Sequence, residues 1–155
     1  DGTCCVEVAV ADLRATLERI KSRAGFDTAT FVTAVDHSRS KGHAGPRFRV
    51  VHQLLSVEHN DRVRVETPSD AEFPRVPTCT DLWPGVAYLE RECFDMFGVV
   101  FEGHAGLKRL LMPEEYEHHP LRKEFPHQGI EPDKLYRKWD AERRAEERAL
   151  EERGA

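Results

Sequence analysis

The residues that could carry acid–base chemistry lie in one short run. Glu90, Arg91, Glu92 and Asp95 form a compact polar cluster. Two carboxylates can act as general acid and base, and Glu92 and Asp95, spaced i, i+3, would share a helical face. No nucleophile elbow, phosphate loop or redox-cofactor motif accompanies them. Structural ion pairs commonly explain such clusters, so the pattern favours a buried or interfacial ion network over catalysis. The candidate cations for it are Lys108, Arg109, Arg122 and Lys123.

The histidines and cysteines do not have the spacing of a metal or cluster site. The best metal candidates are Asp36-His37 with His43, and His118-His119. A closed zinc site needs about four well-spaced ligands, and no HExxH or Cys–His arrangement occurs. The four cysteines stand at positions 4, 5, 79 and 93, without the compact run of an iron–sulfur site. We expect free thiols in a reducing compartment. No GxGxxG follows a strand, so dinucleotide binding is not predicted.

Length and charge narrow the class further. The 155 residues suit one domain with a core of its own, and 39% are hydrophobic and 33% charged. The formal net charge of −5 argues against a nucleic-acid binder, which would usually be basic. No run approaches the ~20 apolar residues of a membrane span, and the first residues lack the pattern of a signal peptide. We therefore expect any membrane association to come through partners.

Hydrophobic periodicity predicts an α+β fold in the order β-α-β-β-β-α. Strands are expected at residues 4–8, 28–35, 47–57 and 62–67. Val10, Leu13, Leu17 and Ile20 form the stripe of an amphipathic helix that ends at Gly25. A second helix is expected over residues 86–97. Two hairpin-linked strands after a β-α-β start favour a mixed or antiparallel sheet of about four strands, with the helices packed on it.

The C-terminal part differs from the rest in composition. Residues 113–132 contain four prolines and little apolar periodicity, which predicts an extended segment that lies against something else. A charged helix is expected from Asp133, with Leu135, Tyr136 and Trp139 able to dock on a surface. The predicted division is a compact domain over residues 1–112 and an extended partner-binding segment with a charged helix over residues 113–155.

Two blocks of this sequence resemble the C-type subunit of respiratory complex I, the 30 kDa subunit family. In the first, a Glu-Arg-Glu triplet is followed at the family's spacing by an acid, two apolar residues, a histidine, a basic residue and two more apolar residues. The second is His-Pro-Leu-Arg-Lys, and the resemblance extends over roughly residues 7–127. The family positions, taken as the subunit-interface residues, are Glu90, Arg91, Glu92, Asp95, His104, Lys108, Arg109, His119, Pro120, Leu121, Arg122 and Lys123.

The resemblance implies a non-catalytic connector in the peripheral arm of a proton-translocating NADH:quinone oxidoreductase. Such a subunit binds no cofactor itself, while FMN, iron–sulfur clusters and quinone belong to partner subunits. It contacts chiefly the D-type subunit, near the quinone site, and neighbouring iron–sulfur subunits. Arg91, Arg122 and Lys123 would then meet carboxylates on the D-type subunit. With no transit peptide, we expect a peripheral position on the cytoplasmic side of a bacterial membrane.

Two alternatives remain open at this point. Related subunits occur in membrane-bound hydrogenases and in quinone reductases fed by donors other than NADH, and nothing in this sequence identifies the donor. A more remote alternative is a stand-alone acid–base enzyme that uses Glu90, Glu92 or Asp95.

Overall fold

The computed structural model describes residues 3–129, residues 139–145 and residue 148. The chain forms two units, Asp1–Phe125 and Pro126–Ala155. In the second unit, residues 139–145 are helical. The first unit contains the strands β1 (Cys4–Glu7), β2 (Thr28–Asp36), β3 (Phe48–Ser56), β4 (Asp61–Ser69), β5 (Arg75–Pro77) and β6 (Val100–Glu102), and the helices α1 (Val10–Ala24) and α2 (Val86–Phe97).

Four strands form the main sheet, in the order β1-β4-β3-β2. β3 pairs antiparallel with both of its neighbours, whereas β1 joins the edge of β4 in parallel, so the sheet is mixed. Side chains alternate between the faces of a strand. Val50 and Leu54 of β3 therefore enter one hydrophobic core, where they meet Leu13 and Leu17 of α1, and all four are fully buried.

A second, two-stranded sheet was not predicted from the sequence. β5 and β6 pair in parallel, with Val76 opposite Phe101, and α2 connects them. Both side chains are buried in the core. Strands of three residues carry too little alternation to be recognised from pattern. The pair fixes both ends of α2 to the body of the domain.

The predicted α+β class and the element order of the main sheet and helices are confirmed. Helix α1 ends where Gly25 adopts a left-handed φ of 67°, and α2 has the predicted bounds.

Residues 113–125 belong to the first unit. Partner binding by the segment from residue 113 stays a prediction. Asp133, Leu135 and Tyr136 lie outside the described residues. Among the helices of the described part, none is long and apolar enough to cross a membrane.

Candidate functional site

The C-terminal end of α2 is covered by the His-Pro-Leu-Arg segment. The last four carbonyls of a helix have no partner within it and must be satisfied from elsewhere. In α2, each of these four carbonyls accepts a hydrogen bond. The bonds run from Gly98 N to Phe94 O (2.8 Å), from His119 Nδ1 to Asp95 O (2.9 Å), from Leu121 N to Met96 O (3.1 Å) and from Arg122 Nε to Phe97 O (2.7 Å). Three of the four bonds come from residues 119–122, so this motif block works as a tertiary cap of the helix that carries the other block.

Gly98 makes this close approach possible. Its φ of 77° is left-handed, as is common after a helix end. A Cβ at this position would lie 2.6 Å from Arg122 Nη2 and 2.7 Å from His119 Nε2. Both the backbone conformation and the space therefore require glycine. Burial lowers the pKa of His119, so its ring is neutral and Nδ1 carries the proton donated to Asp95 O.

Arg122 lies inside the unit and not on its surface. It is 7% exposed, and besides Phe97 O its guanidinium donates to Glu72 O at 2.7 Å. The guanidinium carbon lies 4.7 Å from the ring centre of Phe73 and 5.4 Å from that of Phe48, within range of cation–π attraction. These internal contacts occupy Arg122, so we revise the expectation that it pairs with a partner's carboxylate.

Asp95 binds the loop of residues 108–112, which we call the clamp loop. The carboxylate is fully buried, and its Oδ2 accepts the N–H groups of Leu110 (3.0 Å), Leu111 (2.7 Å) and Met112 (2.9 Å). Its Oδ1 accepts Arg109 Nη1 at 2.6 Å. Burial alone would raise the pKa of Asp95, but these donors outweigh it and the pKa lies below its usual value.

Arg91 and His104 also contact main-chain oxygens of the unit. Arg91 Nη2 donates to Arg109 O at 2.9 Å and Nε to Lys108 O at 3.2 Å, so one turn of α2 holds the clamp loop from two sides. His104 Nε2 donates to Ala87 O at 3.1 Å. Two family positions on α2, Arg91 and Asp95, are therefore partners of the loop residues Lys108 and Arg109.

Glu90 is fully buried, and its bonds are to neutral groups. Thr78 Oγ1 donates to its Oε2 at 2.5 Å, and Cys79 N donates to its Oε1 at 2.8 Å. The Cys79 thiol lies 3.3 Å from the same Oε1. This carboxylate ties the turn after β5 to the helix that follows.

A second carboxylate, Asp36 at the end of β2, anchors the segment just beyond Arg122. It accepts Lys123 N at 3.0 Å, Ser38 N at 2.9 Å and Arg47 Nη2 at 3.2 Å. Burial would raise the pKa of Asp36, but these bonds lower it well below its usual range. Arg47 also contacts the Glu124 carboxylate. The sequence indicated Asp36 only as a metal candidate, and this network was not predicted because Lys123 and Glu124 lie far from Asp36 in the chain.

The predicted ion network is thus present, but it contains fewer residues than expected. Of the four candidate cations, Arg109 pairs with Asp95. Glu90, Glu92 and Asp95 do not converge: two are buried with separate donors, and Glu92 is exposed. The side chains of Lys108 and Lys123 are exposed too, as is Leu121, while Pro120 is half-buried. Whether these positions form a subunit interface stays a prediction.

The histidines named as metal candidates contact other side chains. His37 and His43 stack with ring centres 4.1 Å apart, whereas His118 packs against Tyr116. Within the described residues, no group of three or more His, Cys, Asp or Glu side chains is placed to hold a metal ion. Cys79 and Cys93 are buried, and burial raises the pKa of each thiol.

The sequence is similar to curated proteins that are described as subunits of NADH-quinone oxidoreductase. It is 39% identical to the NADH-quinone oxidoreductase C subunit of Laribacter hongkongensis, over 83% of this chain and 67% of that protein. It is 45% identical to the C/D 2 subunit of the same oxidoreductase from Aquifex aeolicus, over 80% of this chain and 20% of that protein. The chain thus spans two thirds of one relative and a fifth of the other.

Solved structures show the same fold. A trypsin-resistant fragment of Nqo5, residues 1–134, superposes with a TM-score of 0.64 at 32% identity, covering 68% of this chain and 83% of that one. A chain of the membrane-bound sulfane sulfur reductase, an archaeal respiratory membrane complex, gives 0.67 at 29% identity, covering 79% and 71%. The model of one family matches residues 6–131. The chain belongs to the family of the 30 kDa subunit of respiratory-chain NADH dehydrogenase.

Proposed function

We propose that this chain is a non-catalytic connector subunit in the peripheral arm of a proton-translocating NADH:quinone oxidoreductase. One observation carries the non-catalytic part of the proposal. The buried charged side chains of the family motif, Glu90, Asp95 and Arg122, bond to groups of the same chain. Such groups rigidify a surface, whereas a general acid or base needs a lone pair or proton that faces a substrate.

The proposed principal partner is the D-type subunit. The Aquifex aeolicus relative is described as a C/D subunit, and this chain matches a fifth of its length. Joining two polypeptides in one chain raises their effective concentration and suits proteins that act side by side. The proposed contact lies near the quinone site of that partner, with neighbouring iron–sulfur subunits beyond it.

The cofactors of the reaction are proposed to lie outside this chain. In this proposal FMN, the iron–sulfur clusters and quinone are bound by partner subunits, and electrons pass through them. The chain is then held at the membrane by its partners, on the cytoplasmic side of a bacterial membrane. Its net charge of −5 supports protein partners over nucleic acid.

A second candidate function has its own support. The superposition on a chain of the archaeal sulfane sulfur reductase complex is as good as that on Nqo5. The same fold is therefore compatible with a complex that has another electron donor or acceptor. In that case the role of this chain as a connector is unchanged, and only the reaction of the partners differs.

Affinity purification of the tagged chain from gently solubilised membranes tests both candidates. Under the first, the chain elutes in a large NADH-oxidising particle with FMN-binding, iron–sulfur and membrane-embedded subunits, identified by mass spectrometry. Hydrogenase or sulfur-reductase subunits in place of the FMN-binding subunit would establish the second. A chain recovered alone would overturn both. As a control on catalysis, Glu92→Gln should leave the NADH:quinone activity per assembled particle unchanged.

A further inference from the structure

The clamp loop holds one large apolar side chain in solvent. Leu111 is 63% exposed, although its own N–H and those of both neighbours bond to the single oxygen Oδ2 of Asp95. The flanking residues Leu110 and Met112 are partly buried, and Met112 packs against the core. Gathering three successive N–H groups on one buried oxygen fixes the backbone, so the middle side chain is held in an outward position.

A second exposed apolar side chain belongs to the same construction. Tyr88 on α2 is 64% exposed, and the Arg91 guanidinium lies over its ring at 5.7 Å. Because Arg91 also donates to Arg109 O in the clamp loop, it connects Tyr88 with the backbone that carries Leu111. The Arg91 and Arg109 charges already have partners within the chain. Leu111 and Tyr88 are therefore each carried by a fixed backbone and lose little conformational entropy when they become buried, which favours a binding hot spot.

The same two elements carry two further charges, Glu92 on α2 and Lys108 in the clamp loop. Both side chains are exposed, and within residues 3–129 neither has an ionic or hydrogen-bonded side-chain partner. An acid on α2 and a base in the clamp loop match a partner surface that has an apolar pocket with a base and an acid at its rim. Such rim charges set orientation and association rate more than affinity.

We propose that Leu111, together with Tyr88 of α2, is the anchor by which this chain docks on the D-type subunit. This inference rests on the proposed function, and the identity of the occupant rests on the C/D relative. The role of the Asp95 clamp is then to hold the anchor in a fixed position before binding. Leu111 inserts into an apolar pocket of the partner, and Lys108 meets an acidic group at its rim.

The test uses the tagged full chain expressed in place of the native one. Leu111→Asp is compared with Val57→Asp, because Val57 is also 63% exposed but lies in the turn between β3 and β4. The measured quantity is the amount of D-type subunit recovered per chain after washing the solubilised complex. Truncating a hot spot weakens binding by about tenfold or more. We expect a loss of about tenfold or more for Leu111→Asp and of less than about twofold for Val57→Asp.

Further measurements separate the possible failures. Thermal unfolding of both purified variants should match the wild type, and Leu111→Ala, which introduces no charge, should show the same loss if the anchor is right. Lys108→Glu should weaken recovery mainly at low salt. Equal recovery of the D-type subunit with both aspartate variants would overturn the anchor while leaving the connector function intact. Loss of another subunit with retention of the D-type one would overturn the assigned occupant. No complex with the wild-type chain would overturn the proposed function itself.

Discussion

Replacing Asp95 by asparagine removes one charge from the centre of the motif without changing its shape. The carboxylate accepts four donors, three N–H groups on Oδ2 and Arg109 on Oδ1. Asparagine has a single acceptor oxygen. If that oxygen faces the three N–H groups, the amide NH₂ faces the Arg109 guanidinium, donor against donor. Either orientation leaves buried donors without an acceptor.

The size of the effect follows from burial. The Asp95 side chain is 0% and that of Arg109 11% exposed. Removing one partner of a buried pair costs about 3–5 kcal/mol, because the other charge is left uncompensated. A domain of this size has a free energy of unfolding of about 5–15 kcal/mol. We expect Asp95→Asn to lower the urea midpoint of the full chain by about a fifth or more, or to prevent folding.

Glu92→Gln is the matched control, since Glu92 is three residues away on the same helix and exposed. Surface substitutions of this kind change stability by less than about 0.5 kcal/mol. Urea unfolding of both variants is followed by circular dichroism. The two free energies of unfolding are compared by using one common slope for their dependence on urea concentration. A decrease of less than about 1 kcal/mol in the free energy of unfolding for Asp95→Asn would be well below the cost of breaking a buried ion pair. That result would refute the view that this carboxylate organises the clamp loop. Such a result would return Asp95 to the group of residues available to a partner.

Three further predictions concern the packing around the motif. Gly98→Ala should destabilise the chain by at least about 2 kcal/mol, because alanine is strained at φ 77° and its Cβ collides with two side chains. Burial lowers the pKa of His52 from 6.5 to about 4, so the unfolded chain binds a proton near pH 5 that the native chain does not. Stability is therefore lost as the pH falls, and His52→Leu should reduce the loss between pH 7.5 and pH 5 by about 2 kcal/mol. A maleimide reagent should label two thiols in the native full chain and four after denaturation. The protected thiols are Cys79 and Cys93, and the exposed ones are Cys4 and Cys5.

Each of these three predictions has a control or a contradicting outcome. Gly85→Ala should change the free energy of unfolding by less than about 0.5 kcal/mol, since φ is −63° and no atom lies within 4 Å of its Cβ. For His52→Leu, an equal loss of stability in the variant and the wild type between pH 7.5 and pH 5 would contradict the prediction. Maleimide labelling is read by mass spectrometry of peptides. Rapid modification of Cys93 in the native chain would contradict the packing of α2 on the core.

Local pattern was sufficient for most of the fold. The stripe of α1, the strict alternation of β4 and the glycines after both helices each depend on residues close in sequence, so periodicity identified them. The parallel pair β5–β6 was missed because its two short strands are separated by all of α2, and nothing local distinguishes them from loop. The irregular stretch through residue 125 was expected to need a surface to lie on. Up to Phe125 it belongs to the same compact unit as α2.

For the candidate site, too, some features followed from the sequence and others only from the tertiary structure. The sequence by itself determined that Glu90, Arg91, Glu92 and Asp95 stand on one helix, and that a second block, which begins at His119, belongs to the same family pattern. It did not determine which charges are buried. Only the tertiary structure assigned Arg122 to the backbone carbonyls of Phe97, at the open end of α2, and of Glu72, because a buried guanidinium must find acceptors.

The tertiary structure also decided which side chains of the motif are exposed. Leu110 and Leu111 are the same residue type in adjacent positions, and no sequence rule distinguishes them. Three N–H groups converge on one oxygen of Asp95, which leaves one leucine partly buried and the other in solvent. The sequence therefore specified the chemistry of the motif, and the tertiary structure decided which of its side chains are used within the chain and which remain for a partner, because hydrogen-bond satisfaction depends on contacts far apart in sequence.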